Sequence, residues 1–203
     1  TSMEGKDRIK ILFIINPFSG ENRNNWAEII NYYFKDSETT IEIFLLDKNL
    51  NAQDILNKLE LLKPEKVVAV GGDGTVNLVA ECALQKNIPL GILPAGSANG
   101  LAKELGISEY PEMALNTINS GRRKKIHILN INGKLCLHLS DIGLNDWMIK
   151  IFQAENVRGI WGYFKANLKL TWEIFFVKPI FEVVMTLDQE KIKTNAVMIV
   201  FAN

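Results

Sequence analysis

The stretch that most constrains the fold is VVAVGGDGTVN, residues 67–77, in which an apolar run enters a glycine-rich turn. Val67 to Val70 predict a buried strand, and the apolar residues after Thr75 recur at helical spacing. A strand, a glycine turn and a helix place peptide N–H groups where they can bind a phosphate. Asp73 lies within that turn, and a carboxylate beside phosphates suits a metal ligand or a proton acceptor. The stretch therefore predicts phosphoryl transfer, and a plain strand–helix turn is the alternative interpretation.

The surrounding chain alternates strands with helices. Four apolar runs predict strands, at 9–15, 41–46, 66–70 and 88–93. Helical patterns cover 25–34 and 51–62 and follow the glycine turns at 71–75 and 94–100. Such alternation is typical of a parallel sheet covered on both faces. We therefore predict an α/β fold, with a Rossmann-like parallel-sheet nucleotide-binding domain over residues 1–121.

The pattern changes after the basic run at 122–125. Segments 126–131 and 135–140 flank Asn132-Gly133, which predicts a hairpin. Segments 180–187 and 195–203 predict a second hairpin, and the chain ends within the last of these strands. We therefore predict an antiparallel β-rich second domain over residues 122–203 that is incomplete at its C-terminus.

Two further segments have ambiguous sequences. Residues 144–177 predict a helical stretch that is unusually aromatic between 161 and 176. A helix facing the core, the wall of an apolar pocket and a membrane-contacting surface are all compatible with that pattern. The basic run at 122–125 fits either a flexible strap between domains or a phosphate-binding patch, and we favour the strap.

Composition narrows the function classes. The formal net charge is zero, so no basic field indicates nucleic acid. No run reaches the roughly 18–20 uncharged apolar residues of a membrane span, and we expect a cytoplasmic protein. Cys82 and Cys136 fit a reducing compartment and predicted core positions. His127 and His138 have no partner at metal-ligand spacing, and we expect structural roles for both.

Three polar, glycine-bearing loops follow predicted strands, at 16–20, 71–75 and 94–100. Because the carboxyl ends of parallel strands share one edge of a sheet, these loops are expected to converge on one nucleotide site. The residues that offer hydroxyl or amide groups there are Ser19, Thr75, Ser97, Asn16, Asn77 and Asn99.

Three ordered motifs carry a family resemblance: NPFSG at 16–20, GGDGTVN at 71–77 and GILPAGSANGLAKELGI at 91–107. Together they resemble the diacylglycerol kinase catalytic domain family, which includes bacterial diacylglycerol and lipid kinases and the sphingosine and ceramide kinases. The resemblance implies ATP and Mg²⁺ as cofactors and phosphorylation of a lipid hydroxyl. It also implies a second domain that continues beyond residue 203 and peripheral contact with membranes.

The resemblance also implies roles for the site residues. It places Asn16, Ser19 and Gly20 beside the ATP phosphates and ribose. Asp73 would orient Mg²⁺ or assist deprotonation of the acceptor, and the remaining metal ligands are unknown. The phosphate loop would comprise Gly71, Gly72, Asp73, Gly74, Thr75 and Asn77, with Gly96, Ser97 and Asn99 on the other side of the nucleotide.

Several alternatives stay open. Asn99-Gly100 stands where bacterial relatives have Asn-Asp, which leans toward the sphingosine kinases, so a diacylglycerol-like and a sphingoid-like acceptor both fit. The GGDG motif is shared with NAD kinases, so an NAD-kinase-like phosphotransferase is a second hypothesis. A non-catalytic nucleotide- or lipid-binding protein is the third. The oligomeric state is open, a homodimer included.

Overall fold

The structure is a computed structural model that describes residues 9–20, 24–49, 51–143, 180–187, 190–196 and 198–202. The chain divides into two compact units, Thr1–Leu137 and His138–Asn203. The sequence predicts a boundary between two domains at residue 121, and that boundary stays a prediction.

The first unit contains a four-stranded sheet in which every neighbouring pair is parallel, as predicted. The strand order is β2-β1-β3-β4, so β1 and β3 are central and β4 is an edge. The strands are β1 (Lys10–Ile15), β2 (Thr40–Leu45), β3 (Lys66–Gly71) and β4 (Leu90–Pro94).

Among the described residues, five helices connect or follow these strands. They are α1 (Trp26–Phe34), α2 (Ala52–Leu62), α3 (Asp73–Gln85), α4 (Gly100–Glu104) and α5 (Pro111–Ser120). Asn51 caps the start of helix α2, because its side chain accepts a hydrogen bond from the backbone N–H of Gln53 at 2.9 Å. Lys63 caps the end of the helix and adopts a left-handed conformation just before Pro64. Helix α5 was not predicted from the sequence.

The sheet separates two apolar cores, which explains why the central strands β1 and β3 are almost continuously apolar rather than alternating. On one face, Phe13 and Ile15 of β1 pack with helices α1 and α5. On the other face, Leu12 and Ile14 pack with α2 and α3. Both faces of β1 are therefore buried, and the sheet forms the middle of three layers.

Two lysines at the amino ends of the central strands bind the carboxyl ends of helices. Lys10 Nζ donates to the carbonyl of Leu62, the last residue of α2, at 3.3 Å. Lys66 Nζ donates to the carbonyl of Ile118 near the end of α5, at 3.0 Å. Each cation thus satisfies a carbonyl that its helix leaves without a partner.

Both cysteines are buried, as predicted. Cys82 lies on the apolar side of α3, and its thiol donates to the carbonyl of Ala52 at 3.6 Å. Burial, with a smaller contribution from the charge of Glu81, raises the pKa of the Cys82 thiol above its ordinary value.

The first predicted hairpin exists but is shorter than expected. Strands β5 (Leu129–Ile131) and β6 (Lys134–Cys136) pair antiparallel across Asn132 and Gly133, both with positive φ. The predicted strand over 135–140 is wrong, because β6 ends at Cys136 and a separate strand, β7 (Leu139–Gly143), follows.

The second unit pairs its strands differently from the prediction. Strand β8 (Phe181–Leu187) pairs antiparallel with β9 (Glu190–Ala196), so the hairpin partner expected at 195–203 is wrong. Strand β10 (Met198–Ala202) pairs instead with β7. The charged β9 was overlooked because it lacks the apolar character of a strand, but Lys193 forms an ion pair with Glu182 across the hairpin at 2.9 Å.

The predicted helical stretch at 144–177, with its aromatic cluster, lies outside the described residues. Among the helices that the structure describes, none is both long and apolar enough to cross a bilayer.

Candidate functional site

The centre of the sheet is a topological switch point. The chain leaves β1 toward β2 on one side and leaves β3 toward β4 on the other. The helices that follow these strands, α1 and α3, pack on opposite faces of the sheet. Loops that diverge in this way leave a crevice at the carboxyl ends of the strands, which is where open α/β sheets bind ligands. The predicted loops at 16–20 and 71–75 border that crevice.

A hydrogen-bond network joins the first loop to the start of α3. Asn16 Nδ2 donates to Thr75 Oγ1 at 2.9 Å, and Ser19 Oγ lies 3.3 Å from the same hydroxyl oxygen. The backbone N–H of Gly72 donates to Ser19 Oγ at 3.4 Å. The Thr75 side chain is buried, so its hydroxyl is a structural link between the loops.

The three loops contact one another through glycine backbones. A Cβ on Gly96 would lie 2.3 Å from Gly72 Cα, a distance that real Cβ atoms do not show. Gly20 has a φ of +65°, and a Cβ there would lie 2.6 Å from the carbonyl oxygen of Ala95. Side chains at these positions would separate the loops, so the glycines allow all three to converge as predicted.

Asn99 shapes the third loop from within. Its backbone is left-handed, with a φ of 53°. Its side chain is buried, and its Oδ1 accepts from the Gly96 N–H while its Nδ2 donates to the Gly96 carbonyl, both at 2.8 Å. This two-bond clamp closes a tight turn. It also means that the Asn99 amide is occupied by the protein backbone.

Asp73 links the second loop to the third. Its two carboxylate oxygens accept hydrogen bonds from the backbone N–H groups of Gly100 at 3.0 Å and Leu101 at 3.2 Å. These donors open α4, so Asp73 satisfies part of its first turn. Sequence reasoning missed this role, because the bonded residues lie 27 and 28 positions away and no local pattern connects them.

The start of α3 offers donors to an anion. Its N-cap is Gly72, which provides no side-chain hydrogen bond. The peptide N–H groups of the first turn have no intrahelical acceptor. A Cβ on Gly74 would meet nothing within 4 Å among the described residues, so the space beside this turn is open. The arrangement is suited to a phosphate group.

Two predicted site residues do not take part in this hydrogen-bond network. Ser97 is exposed and Asn77 is half-buried within α3, and neither forms a side-chain hydrogen bond within the described part of the chain. The same part of the chain contains no cluster of three or more His, Cys, Asp or Glu side chains that could hold a metal.

Comparison with known proteins assigns a family to this architecture. Residues 10–131 match the family model of the diacylglycerol kinase catalytic domain. The chain belongs to this family. The matched region contains all three loops of the candidate site and Asp73.

Individual relatives of this chain are named as lipid or sphingosine kinases. A probable lipid kinase YegS-like protein of Citrobacter koseri is 36% identical over 50% of this chain and 36% of its own length. Sphingosine kinase 1 of Arabidopsis thaliana is 29% identical over 61% of this chain and 28% of its own length. The chain thus spans 36% of the length of the first of these relatives and 28% of the length of the second.

A solved structure shows the same fold. A putative diacylglycerol kinase from Bacillus anthracis str. Sterne superimposes with a TM-score of 0.68 at 22% identity, covering 98% of this chain and 67% of that one. At this level of identity the likeness concerns the fold.

Proposed function

We propose that this chain binds ATP and forms part of a kinase that transfers the γ-phosphate to a lipid hydroxyl. The observation that carries the proposal is the convergence of three glycine loops at the switch point of the sheet, beside the open first turn of α3. Phosphoryl transfer needs no covalent intermediate with the protein. Catalysis depends mainly on positioning and on charge stabilisation, which rigid backbone donors supply.

Each loop has a distinct part in the proposal. The backbone from Gly71 to Thr75 would bind the phosphates, with the open face of Gly74 toward them. Asn16 and Ser19 would act through Thr75, because their side chains already bond to its hydroxyl. Gly20 would let the first loop approach the nucleotide. On the opposite side, the backbone of Gly96 and the exposed Ser97 hydroxyl would contact it, while Asn99 keeps that loop closed and Asn77 extends the polar surface along α3.

Asp73 fits a place beside Mg²⁺. Each of its oxygens accepts one hydrogen bond from the protein, and each keeps a further lone pair. Mg²⁺ in nucleotide sites is commonly held by one or two carboxylates together with the phosphates, so a lone protein carboxylate suits it. Bound there, the ion would neutralise charge on the transferring phosphate. Asp73 would fix the position of the third loop at the same time.

The acceptor is proposed from the relatives. Those named lipid kinase and sphingosine kinase favour a lipid alcohol over NAD. We propose a diacylglycerol-like or sphingoid-like acceptor, used by a cytoplasmic protein at a membrane surface. The non-catalytic alternative differs in a measurable way, since it requires ATP binding without transfer.

Radiolabelled transfer tests the proposal. The full-length protein is incubated with γ-³²P-labelled ATP, Mg²⁺ and a mixed lipid extract, with NAD as a parallel acceptor, while calorimetry measures ATP binding. We expect label in the organic phase. Absence of ATP binding would refute the proposal, label on NAD would favour the NAD-kinase-like hypothesis, and binding without transfer would favour the non-catalytic one.

Asp73→Asn sharpens the test. The asparagine retains one oxygen, and its amide NH₂ would face a backbone donor, so we expect transfer to fall about tenfold or more. Asp36→Asn is the matched control, because Asp36 is an exposed carboxylate whose ion pair with Lys35 is long, at 3.8 Å. Equal losses in both variants would show that Asp73 has no special role.

A further inference from the structure

A second cavity lies along the outer edge of β4, within the first unit. Its volume is about 390 Å³, within the range of roughly 300–1,000 Å³ that is usual for small-molecule sites. Residues from the starts of β3 and β4, from α4, from the end of α5 and from the segment at 121–126 line it. Leu101 lines this cavity and also donates its backbone N–H to Asp73 in the candidate site, but no other residue of that site lines it among the described residues.

The lining combines an apolar wall with positive charge. The wall includes Leu90, Ile92, Leu105, Ile118 and Ile126. Among the described residues, the charged ones that line the cavity are Lys66, Arg122, Arg123 and Lys124, and none of the described lining residues is acidic. This bias is notable in a chain whose formal net charge is zero. By contrast, the cavity at the carboxyl end of β2, of about 330 Å³, is lined by Asp47 and Asp54 as well as Lys58.

Three of the four cations are available to a ligand. Arg122, Arg123 and Lys124 are exposed, and none takes part in an ion pair or hydrogen bond within the described residues. Lys66 already donates one bond, to the Ile118 carbonyl. Two adjacent guanidinium groups can bind phosphate oxygens bidentately, and the lysine adds a point charge.

The cavity is separate from the candidate phosphate loop. Lys66 is the first residue of β3 and Gly71 is the last. The five intervening steps of about 3.3 Å separate these residues by about 17 Å. A phosphate on the α3 turn therefore cannot also reach the Lys66 end of the cavity.

We propose that this cavity binds an amphiphile with one apolar chain and a phosphate headgroup. The chain lies against the apolar wall, and the headgroup is bound by Arg122, Arg123 and Lys124. Charge complementarity selects this ligand: a neutral lipid would form no charge-assisted hydrogen bonds with the three cations, and an inorganic ion would leave the apolar wall in contact with water. The proposal does not depend on kinase activity.

Calorimetry on the 203-residue chain tests it, with dodecyl phosphate below its micelle concentration as the probe. Inorganic phosphate, dodecyl maltoside and dodecanoate are the comparison ligands. We expect the affinity for dodecyl phosphate to be at least about tenfold higher than the affinity for each of them. We also expect it to shift the methyl NMR signals of Ile118 and Ile126. If inorganic phosphate bound equally well, the role of the apolar wall would be refuted. If dodecyl maltoside bound equally well, the role of charge would be refuted. If dodecanoate bound equally well, the preference for phosphate would be refuted.

Variants identify the site. The triple variant Arg122→Gln, Arg123→Gln, Lys124→Gln should lose about tenfold or more in affinity without unfolding, because these side chains are exposed. Lys125→Gln is the matched control: it is exposed in the same run but does not line the cavity, and its affinity should stay within about twofold. An unchanged triple variant, or an equal loss in the control, would overturn the assignment. The assignment would also be overturned if sedimentation showed a dimer that buries the β4 edge and dodecyl phosphate did not bind to it.

Discussion

The contact between Gly96 and Gly72 gives a quantitative prediction. In Gly96→Ala, the new Cβ would lie 2.3 Å from Gly72 Cα, which is 1.1 Å short of the 3.4 Å at which ordinary contact begins. The worst clash is with backbone, at Gly72 Cα and at Gly72 N 3.0 Å away, so a rotation of the Asn99 side chain, whose Oδ1 also lies at 3.0 Å, cannot relieve it. Relief requires the loops to separate by about 1 Å, which strains the hydrogen bond of 3.0 Å from the Ala95 N–H to the Gly71 carbonyl. Overpacking and one weakened hydrogen bond together should cost about 2–4 kcal/mol.

Urea unfolding followed by circular dichroism measures this cost. Gly74→Ala is the matched control, because it makes the same substitution in the neighbouring loop, where the new Cβ would meet nothing within 4 Å. Gly74 lies in the first turn of α3, so alanine there should leave stability unchanged or raise it by up to about 1 kcal/mol. If Gly96→Ala unfolded within about 0.5 kcal/mol of the parent chain, the loops would be adaptable and the reasoning would be wrong.

The same pair of variants separates folding from binding. Gly96→Ala should weaken ATP binding, because a displacement of about 1 Å disturbs a preorganised site. Gly74→Ala should also weaken it, although its fold is intact, because its Cβ occupies the open space that the proposal gives to the phosphates. Undiminished ATP binding by a well-folded Gly74→Ala variant would exclude the phosphates from that space.

Three further predictions concern single side chains. Thr75→Val should lower the free energy of unfolding by about 1–3 kcal/mol, since it leaves the Asn16 amide without its acceptor, and Thr75→Ser should restore most of the loss in the same urea assay. Asn99→Ala should lower the free energy of unfolding by about 1 kcal/mol more than Asn99→Gly does. Both variants lose the hydrogen bonds to Gly96, but glycine adopts the positive φ of this position without strain, and thermal melts would rank the two. Because burial raises the pKa of the Cys82 thiol, the folded chain keeps the thiol proton at pH values above the ordinary pKa of a cysteine, where the unfolded chain loses it. The free energy of unfolding should therefore fall as the pH rises above that ordinary pKa. At pH 8, iodoacetamide should label the buried Cys82 only after urea unfolds the chain, as mass spectrometry can show.

Local patterns were sufficient for the parallel sheet and for the convergence of the three loops. Each buried strand was a continuous apolar run, and Asn51 marked the start of α2 at the residue that caps it. Parallel strands bring their carboxyl ends to one edge, so loop order alone predicted the convergence. Helix α5 could also have been found, because Pro111 stands at its first turn and Ala114, Leu115 and Ile118 form a buried helical face.

Beyond the local errors at β6 and β9, two errors concern pairings between distant residues. Strand β10 is apolar and follows a charged segment, but its partner is β7, more than fifty residues earlier. Nothing in either local sequence selects that partner. The bonds from Gly100 and Leu101 to Asp73 are similar: the acid was recognisable within its motif, but its acceptor role depends on a loop that only the folded sheet brings close.

The lysines at the amino ends of β1 and β3 give the sheet an electrical polarity. At that end, Lys10 and Lys66 neutralise the partial negative charge of two helix termini. At the other end, the first turn of α3 presents its partial positive charge to a loop region with no side-chain cap. The proposed binding of a triphosphate therefore requires no surplus of positive charge on the chain as a whole. Dipoles that are oriented toward one edge of the sheet would attract such an anion to a chain of zero net charge.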